Sequence, residues 1–295
     1  MPAPARPRRS VLYMPGSKPR ALEKARHLPA DALILDLEDA VAPAEKAAAR
    51  DLVRAEGRSG AFGGREVVIR VNGLDTEWGD DDLAAVAAAG PDAVLIPKAE
   101  SAAQIAEIAA RLREAGAPER VAIWAMIETP RGVLRAEEIA GAPGMAAFVL
   151  GTNDLMKDLR AAHTPAREPV ATALGWSLLA ARAHGLACID GVHNAIRDEV
   201  GLRRACEQGR AMGFDGKTLI HPDQLAIANA EFGPTEAELA EAREIVAAFE
   251  AAKADGAGVT VVGGRIVEQL HAETAERLIA EAAAIAALHG QTMAA

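Results

Sequence analysis

The sequence predicts an α/β protein, a (β/α)8 TIM barrel followed by a C-terminal helix–hairpin–helix lid. Three observations carry that expectation. Short apolar runs alternate with helix-length segments eight times in the first 230 or so residues, the signature of parallel βαβ units closing into a barrel. Polar side chains gather just after those runs, at Glu38, Asp39, Arg70, Lys98, Glu128, Asp154, Asp190 and His221. Beyond that the texture changes to an acidic, Ala-rich stretch and a Gly-Gly hairpin. The domain boundary is accordingly placed at 1–232 for the barrel and 233–295 for a lid or oligomerisation segment.

Taken in order, Val11–Pro15 is a short strand and Gly16-Ser17 turns it into a helix from Lys18 to about Leu28. Asp31–Glu38 is a second strand with a helix from Pro43 to about Glu56, and Glu66–Val71 a third, with a helix over Asp80–Ala89. Ala93–Pro97 is a fourth, followed by a helix over Ala102–Ala115. Val121–Ile127 is a fifth, nearly unbroken in its apolarity, ending in Glu128; Thr129-Pro130 then caps and opens a helix. Met145–Leu150 repeats this plan, and Gly151–Asp154 leads into a helix. Gly185–Ile189 ends at Asp190 and is followed by a helix near Glu199–Met212; Gly216–Ile220 is closed by His221-Pro222. An open doubly wound sheet is the competing fold, but the Gly-x-Gly-x-x-Gly fingerprint after the first strand is missing. In the tail, Thr235–Lys253 is a helix, Asp255–Gly258 a joint, Val259–Val262 and Arg265–Val267 a hairpin, and Glu268 to about Ala287 a last helix. This tail is too small for a core of its own and must pack as a lid or against a neighbouring subunit.

The totals exclude several functions. A net charge of −10 argues against nucleic-acid binding. No apolar run approaches the ~20 residues of a membrane span. The two cysteines, Cys188 and Cys206, show no ligand spacing and are expected to be reduced core residues of a cytoplasmic protein.

The chemistry is expected at the strand ends. Glu128 and Asp154 reach the same sheet edge from successive buried strands, and converging carboxylates repel each other unless a cation lies between them. Two oxygen donors suit Mg2+, which completes its shell with water and substrate; the alternative is that each acid simply favours a helix N-terminus. Arg70 interrupts the apolar strand Val67–Val71. It awaits either a substrate carboxylate held bidentately or a structural partner in Glu38 or Asp39. Seven basic residues (Arg6, Arg8, Arg9, Lys18, Arg20, Lys24, Arg26) oppose the single acid Glu23 near the N-terminus, pointing to an anionic partner such as a phosphate, or else to a solvated helix face. Lys98 could be a Schiff-base lysine, but its crowd of carboxylates favours a charged amine; His221 is expected as a hydrogen-bonded rim residue.

Six motifs in order resemble the HpcH/HpaI aldolase/citrate lyase family, and within it the citrate lyase beta-subunit-like and malyl-CoA lyase-like CoA-ester lyases. They are Arg9–Gly16, Leu33–Val41, Val68–Asn72, Ile127–Gly132, Gly151–Leu155 and Gly213–Pro222. The resemblance implies a (β/α)8 barrel with a lid, in trimers or dimers of trimers, and reversible Claisen cleavage of a 3-hydroxyacyl-CoA. It implies Mg2+ on Glu128 and Asp154, with Arg70, Glu38 and Glu268 as the catalytic residues and Arg70 gripping the keto acid carboxylate. The N-terminal segment with Tyr13, Lys18, Arg20 and Lys24 would lie along coenzyme A. The family lends an acidic residue from a neighbour's lid, in the motif Gly-x-Met-(Ile/Val)-Asp. Here Gly264–Glu268 matches it with glutamate in place of aspartate. That extra methylene leaves four outcomes open: a lyase on malyl-, citramalyl- or citryl-CoA, a thioesterase, a CoA-free class II aldolase, or a non-catalytic partner subunit.

Overall fold

In the computed structural model, which describes residues 6–294, the eight runs pair in chain order and close on themselves. The barrel strands are β1 (Ser10–Pro15), β2 (Ala32–Asp36), β3 (Glu66–Arg70), β4 (Ala93–Ile96), β5 (Ala122–Ile127), β6 (Met145–Leu150), β7 (Ala187–Asp190) and β8 (Gly216–Leu219). Every neighbouring pair is parallel, and β8 closes on β1 with Ser10 opposite Lys217 and Val11 opposite Thr218. Gly216 makes that seam possible, since a Cβ there would run into the Arg8 carbonyl oxygen.

Both faces of the strands are buried, which is why their sequences are continuous apolar runs. Side-chain alternation divides them into two cores. Ala32 and Ile34, Val68, Ala93 and Leu95, Trp124 and Met126, Ala147 and Val149, and Ile189 fill the barrel interior. Leu33, Leu35, Leu37, Ile69, Val94, Ile96, Ala125 and Ile127 face the surrounding helices. The same parity carries Asp36, Arg70 and Glu128 inward at the C-terminal ends of β2, β3 and β5.

Helices lie close to the expected bounds at Pro19–Ala25, Lys46–Ser59, Gly79–Ala89, Ala102–Glu114 and Glu199–Met212. The segment after β5 is two short helices, Pro130–Leu134 and Ala136–Ala140, meeting at Arg135. After β6, the short helix Thr152–Asp158 is joined by a second, Glu168–Ala183, and Leu225–Phe232 follows β8; neither was singled out in the sequence. Both are Ala-rich and lack a clean polar face, so their periodicity is weak.

The chain divides into two compact units, Arg8–Phe232 and Gly233–Ala294, with residues 6 and 7 grouped with the latter. In the second unit, helix Glu236–Ala254 starts at a reciprocal Thr235/Glu238 cap. An antiparallel hairpin, β9 (Val259–Val262) and β10 (Arg265–Glu268), then leads to helix Gln269–Ala294. Against the expectation that this tail is too small for a core of its own, Phe249, Val262, Val267 and Ala272 form a small one between the helices and the hairpin. The outer residues Val259, Val261 and Ile266 stay exposed, as does Leu270. No helix among the described residues is long and apolar enough to cross a membrane.

Candidate active site

Arg70 sits at the centre of the barrel mouth. Its Nε and Nη2 donate to Asp36 Oδ1 and Oδ2 at 2.7 and 2.6 Å, a bidentate pair between residues opposite each other on β3 and β2. Its Nη1 lies 2.7 Å from Glu38 Oε2 and 3.5 Å from Asp39 Oδ2, and the guanidinium carbon stands 4.9 Å from the Tyr13 ring centroid. Burial opposes the guanidinium charge, but Asp36 and its neighbours more than offset this and hold Arg70 well above its ordinary pKa. The partnership that the sequence left open between Glu38 and Asp39 is therefore led by Asp36, which also accepts the backbone N–H groups of Glu38 and Ala40. Of the fork's nitrogens only Nη1 is left without Asp36, and it lies against Glu38.

Glu128 is 2% exposed at the end of β5. Its Oε1 accepts the Lys98 N–H at 2.7 Å, while among the described residues Oε2 has no hydrogen-bond donor. Burial, then Glu38 and Asp154, push its carboxyl up to about 7, with the Lys98 N–H and Arg70 acting in the opposite direction. Gly151 has no side chain because a Cβ there would strike Glu128 Cβ and Oε2. Asp154, half-buried in the first turn of helix Thr152–Asp158, forms no side-chain hydrogen bond among the described residues and lies within electrostatic reach of Glu128. Neither acid serves as a cap: Thr129 Oγ1 caps the helix after β5 by accepting Gly132 N–H, and no side chain caps the helix that carries Asp154.

Glu38 is raised by burial, only partly countered by Arg70, and its Oε2 is buried without a hydrogen-bond donor despite the ion-pair distance to Arg70. Lys98 adopts φ +46, a strained backbone for a non-glycine residue, which aims its N–H at Glu128. Its amine is half-exposed and stands 3.6 Å from Glu38; burial lowers its pKa, but Glu38, Glu128 and Asp154 outweigh that and raise it. A lysine held in its charged form is not a Schiff-base nucleophile. His221 Nδ1 accepts Asp223 N–H in the turn after β8, as expected of a rim residue.

The donor set fits a hard divalent cation. Two carboxylates with free oxygens converge in a mouth already crowded with acids, and a Glu128 proton would be displaced by such an ion. Among the described residues no group of three or more His, Cys, Asp or Glu is arranged around a metal, so water and substrate oxygens would complete the shell.

Several functional neighbours escaped the sequence reading. Asp36, interior to the expected strand Asp31–Glu38, is the last residue of β2. Lys46 is buried behind the β2 turn, donating to the carbonyls of Leu37 and Glu38 and to Asn72 Oδ1 at 2.8, 3.0 and 2.8 Å, which fixes the loop bearing Glu38. Asp190, grouped with the rim acids in the sequence, is committed elsewhere: Lys217 and Arg167 bind it at 2.9 and 2.7 Å and overcome burial to lower its pKa. A cavity of ≈ 550 Å³ is bordered by Asn153, Arg167, His193 and Arg204, and neither Glu128 nor Asp154 lines it.

The N-terminal basic cluster is dispersed rather than pooled. Arg8 pairs with Glu66, Arg9 with Asp31, Lys18 with Glu45 and Arg26 with Glu56. Lys18 stays exposed, and Arg20 and Lys24 have no ion-pair partner among the described residues. Tyr13 departs from the expected grouping with these residues. Being of inward parity on β1, it lies in the barrel under Arg70, and its hydroxyl donates to Met126 Sδ. Glu268 ends β10, exposed, with its N–H donated to His271 Nδ1.

A family described as HpcH/HpaI aldolase/citrate lyase matches residues 9–222, the span that carries the barrel-mouth groups but not Glu268. The chain belongs to the HpcH/HpaI aldolase/citrate lyase family. It is 55% identical over 283 residues to a (3S)-malyl-CoA thioesterase of Cereibacter sphaeroides, covering 96% of this chain and 97% of the relative. An L-malyl-CoA/beta-methylmalyl-CoA lyase of Rhodobacter capsulatus is 35% identical over 306 residues, covering 95% and 96%. Among solved structures, the Mycobacterium tuberculosis protein CitE in complex with magnesium, acetoacetate and coenzyme A superposes with a TM-score of 0.77 at 32% identity, covering 93% of this chain and 97% of that one. The family match spans the six sequence motifs and the barrel, so the resemblance seen in the sequence holds.

The raised Glu128 carboxyl has a consequence for the metal-free protein. An acid whose pKa rises from 4.5 to about 7 on folding contributes stability that is complete below the lower value and lost as pH rises through the upper one. In EDTA, stability should therefore fall by up to about 3 kcal/mol between these limits, and Glu128→Gln should flatten that slope. Thermal melts across this range test it; parallel slopes in the two proteins would show that Glu128 titrates normally.

Proposed function

We propose that this chain is a Mg2+-dependent enzyme that hydrolyses the thioester of a short 3-hydroxy diacid, a malyl-CoA-like substrate. The observation that carries the reading is the buried mouth in which Glu128 and Asp154 face Arg70 across a cluster of acids. The 55% identity to a named (3S)-malyl-CoA thioesterase supports hydrolysis as the outcome. The named lyase relative, and a neighbour bound to magnesium, acetoacetate and coenzyme A, support a second reading on the same residues, carbon–carbon cleavage.

Glu128 and Asp154 would hold Mg2+, which when bound supplies a Lewis acid that polarises substrate oxygen. The Nη1 side of Arg70 takes the substrate carboxylate, while Asp36 keeps the guanidinium from turning. Glu38, raised by burial, is placed to hold or return a proton, and Lys98 balances the charge of the acids. In hydrolysis, water adds to the thioester carbonyl, the C–S bond breaks and the thiol of coenzyme A leaves with a proton. In cleavage, the 3-hydroxyl loses its proton, the C2–C3 bond breaks with its electron pair passing to C2, and the resulting enolate takes up a proton at C2 to leave as acetyl-CoA beside a 2-keto acid. The free cations Arg20 and Lys24, with Lys18, are proposed to meet the phosphates of coenzyme A.

The exposed apolar face of the β9–β10 hairpin and the acid at its end support a homo-oligomer, trimeric or a dimer of trimers, in which Glu268 serves a neighbour's site.

Incubation of malyl-CoA with enzyme and Mg2+, followed by mass spectrometry, tests the reaction. Free coenzyme A and malate are expected, and Glu128→Gln should reduce turnover by about 100-fold or more; acetyl-CoA and glyoxylate would select the lyase reading. Neither product pair, from folded protein with Mg2+ bound, would remove both. Glu128→Gln and Glu268→Gln chains, each inactive alone, should regain part of the activity when unfolded and reassembled together. No recovery despite proven mixing would place Glu268 within its own chain's site or outside the chemistry.

A further inference from the structure

Tyr13 is the one tyrosine in the chain, and it stands at the middle of the mouth. Its ring lies under the Arg70 guanidinium, and its hydroxyl has a single partner among the described residues, Met126 Sδ at 3.7 Å. Arg70 Nη1, the part of the fork not taken by Asp36, lies 3.8 Å from the same sulfur. A thioether is a weak acceptor, so it leaves the Tyr13 hydroxyl poorly satisfied, while Arg70 Nη1 beside it is ion-paired with Glu38 Oε2 at 2.7 Å. Around them are Asp36, Glu38 and Glu128, whose charges, added to burial, keep the phenol well above its ordinary pKa against the pull of Arg70. It is a permanently protonated donor beside a permanently charged one.

We infer that Tyr13 Oη is a second donor, with Arg70 Nη1, to one oxygen of the substrate's carboxylate, Tyr13 leaving the Met126 sulfur and Glu38 giving way at Nη1. The inference rests on the reading of Arg70 as the carboxylate-binding residue. It assigns Tyr13 to the acid end of the substrate rather than to coenzyme A. It also explains why a phenol, not a phenyl ring, lies under the guanidinium: the ring alone would serve as a platform, but only the hydroxyl donates. A full anion suits this pair better than an oxygen that becomes charged only during reaction, because Arg70 is charged throughout. The hydroxyl thus contributes to ground-state binding, and its loss should raise KM far more than it lowers kcat.

Because Tyr13 has no other tyrosine to overlap it, protein labelled at the tyrosine ring carbon bearing oxygen gives one NMR resonance. Titration with pyruvate in the presence of Mg2+ should move that resonance saturably. Tyr13→Phe, which keeps the ring, should weaken pyruvate binding by calorimetry about ten-fold, the loss of one hydrogen bond to a charged group. A resonance that stays put, or a Tyr13→Phe protein with parental affinity, while Arg70→Lys still weakens pyruvate binding, would overturn the role of Tyr13 and leave Arg70 in place. Parental affinity in both variants would overturn the carboxylate site at Arg70, and the inference with it.

Discussion

The pairing of Arg70 with Asp36 is the interaction on which the rest of the site depends. A guanidinium inside a barrel is costly unless its donors are matched, and Asp36 matches two of them in the plane of the fork. That leaves a third nitrogen aimed into the mouth and fixes the end of β2, since Asp36 also accepts two backbone N–H groups of the following turn. Glu38 and Asp39 are thereby presented toward Arg70, and Lys46 holds the same turn from behind. Order passes from one buried ion pair to the whole acidic edge.

The mouth is then unbalanced by charge. Asp36, Glu38, Asp39, Glu128 and Asp154 outnumber Arg70 and Lys98, and the protein answers by raising Glu38 and Glu128 toward their protonated forms. Such a site holds a latent demand for positive charge. Divalent cation binding would relieve it, and the free oxygens of Glu128 and Asp154 are where that relief is available. The same residues can support either hydrolysis or carbon–carbon cleavage, because both need a fixed acid group, a polarised oxygen and a proton carrier. What separates the two is whether water can reach the thioester carbonyl.

Much of this was legible in the sequence, for a definite reason. Strands buried on both faces leave continuous apolar runs, so β1 to β8 stand out, and a charge is conspicuous at a run's end, as Glu128 is, or inside one, as Arg70 is. Asp36 was missed because it lies within the same apolar run as Glu38, and only parity combined with the register to Arg70 reveals it as the inward partner. Lys46 and Lys217 sit in segments whose patterns look like ordinary amphipathic helix and strand; their burial depends on Asn72 and Asp190, distant in the chain. The basic cluster near the N-terminus misled in the opposite way. Adjacent in sequence, its members part on folding to meet Glu66, Asp31, Glu45 and Glu56, acids that the local count did not include.

The excess negative charge of the mouth, focused on Glu128, is a demand that Mg2+ would meet. Calorimetric titration with Mg2+ in two buffers of different ionisation enthalpy tests it most directly, because the difference in heat counts protons released. With the Glu128 carboxyl near 7, binding at about pH 6.5 should release a substantial fraction of a proton, falling toward zero at about pH 8.5. Mg2+ binding that releases no proton at either pH, with undiminished affinity in Glu128→Gln, would contradict the account.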